Sequence, residues 1–259
     1  MTVQTSDMSW YTWDWYGQLL KLIDQNGFSF ADYFDHDQFA RPCILRHDVD
    51  YSLQRAVEMA RFEAKMDLGQ QVRSTYFVLI NSEVYNPRSP DSRRALRELT
   101  ELGHQIGLHF DTAIYEAKDP ESFIGHVQEE VEALSELAGV RIKAMSMHRP
   151  SQEILAADLL IPGIVNTYND FFFHQFKYVS DSGLLWREDP QVAVSSDSVE
   201  RLHVLTHPIW YSKIEEPYKE KLFAIGDAAG REALTRLQAE ICPRLSGALS
   251  EEEISCHFR

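Results

Sequence analysis

The chain has 259 residues, which is enough for one large α/β domain or two smaller domains. Its 44% hydrophobic and 25% charged residues are typical of a globular protein, and no apolar stretch is long enough to span a bilayer. The formal net charge of −15 argues against nucleic acid and anionic membranes as partners, because both require clustered Lys and Arg.

The N-terminal segment has neither a basic start nor an apolar core, so the sequence predicts no secretory signal. The three cysteines are widely spaced and form neither a metal-ligand pair nor an even set for disulfides. These features predict a cytoplasmic location, with a processed precursor as the alternative. The sequence does not predict the oligomeric state.

Residues 1–40 are rich in aromatic side chains and contain one predicted helix, around Leu19, Leu20 and Ile23, which Gly27 ends. We expect this segment to be an extension that packs on a single catalytic domain. That domain is predicted to cover residues 41–259 and to end in a helix.

From Cys43 onward, strand-like and helix-like patterns alternate. The predicted strands are residues 43–50, 74–80, 105–109, 140–147, 163–166, 176–179 and 202–205. Apolar residues at helical spacing predict helices at 53–64, 96–102, 123–138 and within 217–241. This alternation predicts a parallel sheet, and six or more units favour a barrel over an open sheet.

Charged side chains stand at the carboxyl ends of the predicted strands, where barrels of this kind carry their active residues. Asp48 and Asp50 end the first strand and share one face of it. Two such carboxylates repel each other unless a cation or a proton lies between them. The later strand ends carry, in order, His109, His148 with Arg149, Asp181 and His207.

Five short segments lie at these strand ends, between about Ile44 and Trp210. They are LRHDVD, GHQIGLHFD, MHRPS, YVSDSGLLWRED and LTHPIWY. In this order they resemble the motifs of the polysaccharide deacetylase superfamily, also called the NodB-homology or carbohydrate esterase family four group. The resemblance implies a distorted (β/α) barrel with about seven parallel strands and a metal-dependent hydrolase.

The resemblance also implies a role for each matched residue. Asp48 would be the general base, and Asp50 and His109 would bind a divalent metal. Arg149 matches the arginine that orients the catalytic aspartate, and His207 matches the general acid. The residues predicted to bind substrate are Asp181, Trp186, Leu205 and Trp210.

The ligand set departs from the family pattern, because Ala113 stands four residues after His109 where a second histidine is usual. His148 could replace that ligand, although strand alternation points His148 and Arg149 to opposite sides. His104, His126 and a second water are the alternatives. The metal is predicted to be Zn²⁺, which prefers imidazole nitrogen and carboxylate oxygen.

The predicted function is hydrolysis of a non-peptide C–N bond. The predicted substrate is a small amidated sugar, and the reaction is N-deacetylation or N-deformylation of an amino sugar or sugar-nucleotide precursor. Two alternatives remain open. One is an inactive carbohydrate-binding pseudoenzyme, which Ala113 favours. The other is a hydrolase of cyclic amides or ureides on the same fold.

Overall fold

A computed structural model describes residues 8–115, 119–241 and 250, and in these residues all the strands lie in one parallel sheet. The strands are β1 (Ser29–Ala31), β2 (Pro42–Val49), β3 (Thr75–Val78), β4 (Gln105–Asp111), β5 (Ala144–His148), β6 (Val165–Asn166), β7 (Lys177–Ser180) and β8 (Leu202–Thr206). Nearly every residue of β2, β3, β4 and β8 is buried, as expected for parallel strands that are covered on both faces.

The sheet curls into an open half-barrel of seven strands. Their order is β6-β5-β4-β3-β2-β8-β7, and β1 pairs separately with the first residues of β2. Every pairing is parallel. In the described part of the chain no pairing joins the edge strands β6 and β7, so the barrel is distorted. The predicted fold class and strand number are confirmed.

The helices follow the pattern of the sequence. They are α1 (Trp13–Gln25), α2 (Leu53–Ala64), α3 (Pro90–Glu101), α4 (Phe123–Ala138), α5 (Gln152–Ala156), α6 (Asp170–His174), α7 (Pro190–Val194) and α8 (Tyr218–Ile241). Side-chain oxygens of Thr12, Ser52 and Ser89 accept from backbone N–H groups at the starts of α1, α2 and α3. Gly139 ends α4 with a φ of 71°, a conformation that glycine adopts without strain.

The chain forms two compact units, one up to Glu215 and one from Glu216 onward, and α8 belongs to the second. Within the first unit, Trp13 of α1 stacks on Phe62 and Tyr211, and its backbone N–H donates to the carbonyl of Ser212. The division at residue 40 stays a prediction. No helix of the described residues is long and apolar enough to cross a membrane.

The two faces of β2 carry different kinds of side chain. Cys43, Leu45 and Val49 point outward into the core beneath the helices. Ile44 points into the barrel, where it joins a layer of aromatic rings that includes Phe77. Arg46 and Asp48 follow Ile44 on that face by strand alternation, so polar groups lie above an aromatic floor.

Gly107 of β4 leaves room for that floor. A Cβ atom at Gly107 would lie 2.3 Å from the Phe77 ring, closer than such atoms approach each other. A side chain here would therefore displace Phe77 from the barrel interior.

His203 of β8 lies at the same level and is fully buried. Its Nε2 is 2.8 Å from the hydroxyl of Tyr33. Burial, together with the positive charge of Arg46, lowers the pKa of His203 to about 3. The unfolded chain binds a proton at this residue below pH 6.5, whereas the folded chain stays neutral. Stability from His203 is therefore complete above pH 6.5 and is lost as the pH falls toward 3.

His203→Gln tests this linkage, because glutamine keeps a polar group near Tyr33 without titrating. From pH 7 to pH 5, the wild type should lose about 2 kcal/mol more unfolding free energy than His203→Gln, at about 1.4 kcal/mol per pH unit. Urea unfolding at several pH values measures the difference. His174→Gln, at an exposed histidine, should keep the wild-type slope. Parallel slopes for wild type and His203→Gln would contradict the assignment.

Candidate active site and metal centre

Strand register brings the candidate residues together at the carboxyl end of the barrel. In the pairing of β4 with β5, His109 lies opposite Ser146, and Asp111 lies opposite His148. Paired residues of neighbouring parallel strands face the same side of the sheet. His148 therefore faces inward with His109, and the alternative that strand alternation left open is resolved in favour of His148.

Asp50, His109 and His148 form a cluster of possible metal ligands. One ligand atom from each lies within 4.8 Å of the other two. Oδ1 of Asp50 is 3.1 Å from Nε2 of His109 and 3.5 Å from Nδ1 of His148. No hydrogen bond of normal geometry reaches this buried oxygen. One carboxylate and two imidazoles around an unsatisfied acceptor fit a divalent cation.

The orientation of His109 is fixed from behind. Its Nδ1 lies 2.6 Å from Oγ of Ser146, so Nε2 is the atom that faces Asp50. Partners of this kind set the tautomer and the ring plane of metal-binding histidines. The sequence did not predict a role for Ser146. Its only signal is that it precedes His148 by two residues and so shares a strand face with it.

Asp48 is held by Arg46 and not by Arg149. Arg46 donates through Nε to Oδ1 and through Nη2 to Oδ2 of Asp48, both at 2.8 Å, and its side chain is 0% exposed. Burial alone would raise the pKa of Asp48, but Arg46 and then His109 hold it well below its usual range. Oδ2 of Asp48 is 3.7 Å from Nε2 of His109, beside the possible metal ligands.

The predicted contact between Arg149 and Asp48 is therefore wrong. Arg149 follows the inward-facing His148 and has a φ of 52°. Its guanidinium donates to Oδ2 of Asp111 at 2.5 Å, and its side chain is 65% exposed. The sequence did carry a signal for Arg46, because an arginine inside a buried strand two residues before an aspartate shares its face.

His207 stands across the cluster and is oriented by Asp181. Its Nδ1 lies 2.6 Å from Oδ1 of Asp181. The other carboxylate oxygen of Asp181, Oδ2, accepts from the backbone N–H of His207 and from the hydroxyl of Tyr211. Nε2 is left facing Oδ2 of Asp50 at 3.8 Å. Burial alone would lower the pKa of His207, but the Asp181 carboxylate raises it to about 9. The ring is positioned to carry a proton at Nε2.

The cluster opens into a cavity of about 470 Å³. Asp48, Asp50, His109 and His148 line it. The residues of its walls are Tyr51, Leu79, Asn81, Ser82, Glu83, Val84, Asp111, Ile114, Met147, Arg149, Pro150, Tyr168, Ser182 and His207. Most of these were not singled out from the sequence, because they come from loops between the strands.

The four residues predicted to line the substrate pocket lie outside this lining. Trp186 packs against Trp15 in the core, and Trp210 packs on the same core. Leu205 lies opposite Arg46 in the strand register and is buried beneath the cavity. Asp181 contacts His207 instead of the cavity. Their role in substrate binding stays a prediction.

The other histidines considered as ligands lie elsewhere. Nδ1 of His104 is 2.8 Å from the hydroxyl of Ser74, on the outer face of the sheet near Glu63. His126 stacks on Tyr115 with ring centroids 4.1 Å apart. Ala113 is exposed and lies in a 3-10 helix, Thr112–Ile114, that follows β4. Of the three alternatives to the missing ligand within the chain, only His148 reaches Asp50.

Comparison with known proteins finds similarity only in structure: no protein-family model matches the chain, and no curated protein matches it significantly. A deacetylase of Streptococcus pyogenes in complex with acetate is similar, with a TM-score of 0.44 and 12% identity over 76% of this chain and 81% of that chain. The chitin deacetylase of Colletotrichum lindemuthianum has a TM-score of 0.43 and 15% identity over 73% and 81%. A family 4 carbohydrate esterase of Bacillus anthracis has a TM-score of 0.39 and 16% identity over 83% and 86%.

These three similarities lie in the course of the backbone and extend over most of each chain. At such low identity, the chemistry of this chain has to be inferred from its own residues.

Proposed function

We propose that this protein is a metal-dependent hydrolase of a non-peptide C–N bond, and that it removes an acetyl or formyl group from an amino sugar or a sugar-nucleotide precursor. The observation that carries the proposal is the unsatisfied Oδ1 of Asp50, which the ring nitrogens of His109 and His148 approach. A buried carboxylate oxygen without a hydrogen bond is unfavourable unless a cation completes it.

Asp50, His109 and His148 would hold the cation, and Zn²⁺ suits this donor set. When bound, such an ion polarises a carbonyl oxygen and lowers the pKa of water. The same oxygen and nitrogen donors also accept other divalent ions, so the identity of the metal belongs to the proposal and its test.

Two further groups complete the chemistry of amide hydrolysis. Asp48 is anionic and fixed by Arg46, so it can accept the proton of the attacking water as a general base. His207 holds a proton because of Asp181, and its Nε2 faces the cluster. From there it can protonate the amine nitrogen as the C–N bond breaks.

The cavity favours a small substrate. Its volume of about 470 Å³ lies within the range of about 300–1,000 Å³ that is typical of small-molecule sites. Asn81, Ser82 and Ser182 offer hydroxyl and amide groups to a polyhydroxylated ligand. The sugar itself is proposed from the motif resemblance. The cytoplasmic location and the lack of nucleic-acid or membrane partners stay predictions.

The inactive carbohydrate-binding alternative was motivated by Ala113. His148 offers an imidazole to the cluster in place of the missing histidine, so Ala113 no longer favours inactivity. Sugar binding without hydrolysis remains an outcome that the following experiments can reveal.

If Asp50, His109 and His148 bind a metal, the protein should contain about one zinc ion per chain after dialysis against zinc. His148→Ala should lower the zinc affinity at least about 10-fold, because it removes one of three protein ligands. Isothermal titration of chelator-treated protein with ZnCl₂ measures this, and metal analysis gives the stoichiometry. His126→Ala is the matched control, since His126 lies away from the cluster. Equal affinity of both variants, or no zinc binding by wild type, would refute the proposed site.

If Asp48 is the general base, Asp48→Asn should still bind zinc but should lose hydrolysis. The amide oxygen can still accept a bond from Arg46, whereas the amide cannot take a proton from water. The rate should fall about 100- to 10,000-fold. Release of acetate from N-acetylglucosamine and from its nucleotide-linked form, with and without chelator, measures activity. A wild type that binds zinc and the sugar but releases no acyl group would support the inactive alternative.

A further inference from the structure

The buried guanidinium of Arg46 is held on several sides. Besides both oxygens of Asp48, it donates through Nη1 to the hydroxyl of Thr167 at 3.2 Å and through Nη2 to the hydroxyl of Tyr168 at 3.1 Å. Its central carbon lies 4.7 Å from the centre of the Tyr168 ring and 5.5 Å from that of Phe77. Rings at such distances attract a cation.

These contacts reach across the barrel. Arg46 lies on the central strand β2, and Thr167 and Tyr168 directly follow the edge strand β6. Strand β2 therefore carries both the carboxylate and the cation that orients it, and the cation is fixed to the far side of the half-barrel. Because a buried ion costs several kcal/mol without its partner, Arg46 and Asp48 must be buried as a pair.

The ion pair with Arg46 holds the Asp48 carboxylate in one orientation. Both carboxylate oxygens accept from the same planar guanidinium, an arrangement that fixes the direction of the carboxylate. In this orientation Oδ2 lies beside His109, and Asp48 lines the cavity. Arg149 is 65% exposed and is bound to Asp111 instead.

We infer that Arg46 is the positioning residue for the base Asp48, and that Arg149 has no part in orienting it. The inference rests on the proposed function for its catalytic consequence. The pairing itself can be tested without any substrate.

Arg46→Lys is the central variant, because lysine keeps the charge but loses the two-pronged fork. We expect kcat to fall about 100-fold, since a displaced base loses its alignment, while KM for N-acetylglucosamine changes less than about three-fold. Zinc affinity, measured by titration, should stay within about three-fold of wild type. Arg149→Lys should lower kcat less than Arg46→Lys does. A larger loss of kcat in Arg149→Lys would overturn the inference.

A double-mutant cycle tests the pairing independently of activity. Urea unfolding is measured for Arg46→Met, Asp48→Asn and the double variant, and in parallel for Arg149→Met with Asp48→Asn. The Arg46 cycle should depart from additivity by at least about 10-fold in the unfolding equilibrium constant. The Arg149 cycle should be additive within about two-fold. If Arg46→Met does not fold, Arg46→Lys takes its place in the cycle.

The two experiments separate the two claims. Coupling of Arg46 with Asp48 in a protein that hydrolyses no amide would refute the proposed function and leave the positioning of Asp48 by Arg46 standing. Hydrolysis together with an additive Arg46 cycle would refute the positioning and leave the function standing.

Discussion

The ion pair between Arg46 and Asp48 constrains the whole interior of the half-barrel. A buried guanidinium requires an anion, further acceptors and room for its flat group. Asp48 supplies the anion, and the hydroxyls of Thr167 and Tyr168 supply the acceptors. The room comes from Gly107, where a Cβ atom would collide with the Phe77 ring that forms the floor. The polar upper layer and the aromatic lower layer thus depend on one another.

The outer face of β2 is polar at the same level. His47 contacts the buried carboxylate of Glu63 at 2.9 Å and the hydroxyl of Thr206 on β8 at 2.6 Å. Glu63 also accepts from the hydroxyls of Tyr16 and Tyr76. Burial alone would raise the pKa of Glu63, but His47 lowers it to about 2, so Glu63 keeps its negative charge. These contacts hold β2, which carries Asp48, and β8, which leads to His207, on the outer face of the sheet.

The sequence predicted the strands and the residues that end them, because buried parallel strands and their polar ends leave strong patterns. The same strand patterns predicted that Asp50 and His109 lie close together. It failed at Arg149 because two adjacent residues at a strand end compete to face inward, and only the pairing of Asp111 with His148 decides between them. It could not show that Trp186 lies in the core, because core and pocket aromatics have the same sequence pattern.

The proposed ligand His148 also differs in kind from the one expected at residue 113. Residue 113 is an exposed position in a 3-10 helix, whereas His148 ends a strand whose ladder holds its backbone. The ring of His109 lies against that of His148, with centroids 5.0 Å apart, and Ser146 holds His109 from the same strand β5. Strand β5 therefore supplies both a proposed ligand and the support of its neighbour. A shell built in this way takes no ligand from the segment that follows β4, where Ile114 lines the cavity instead.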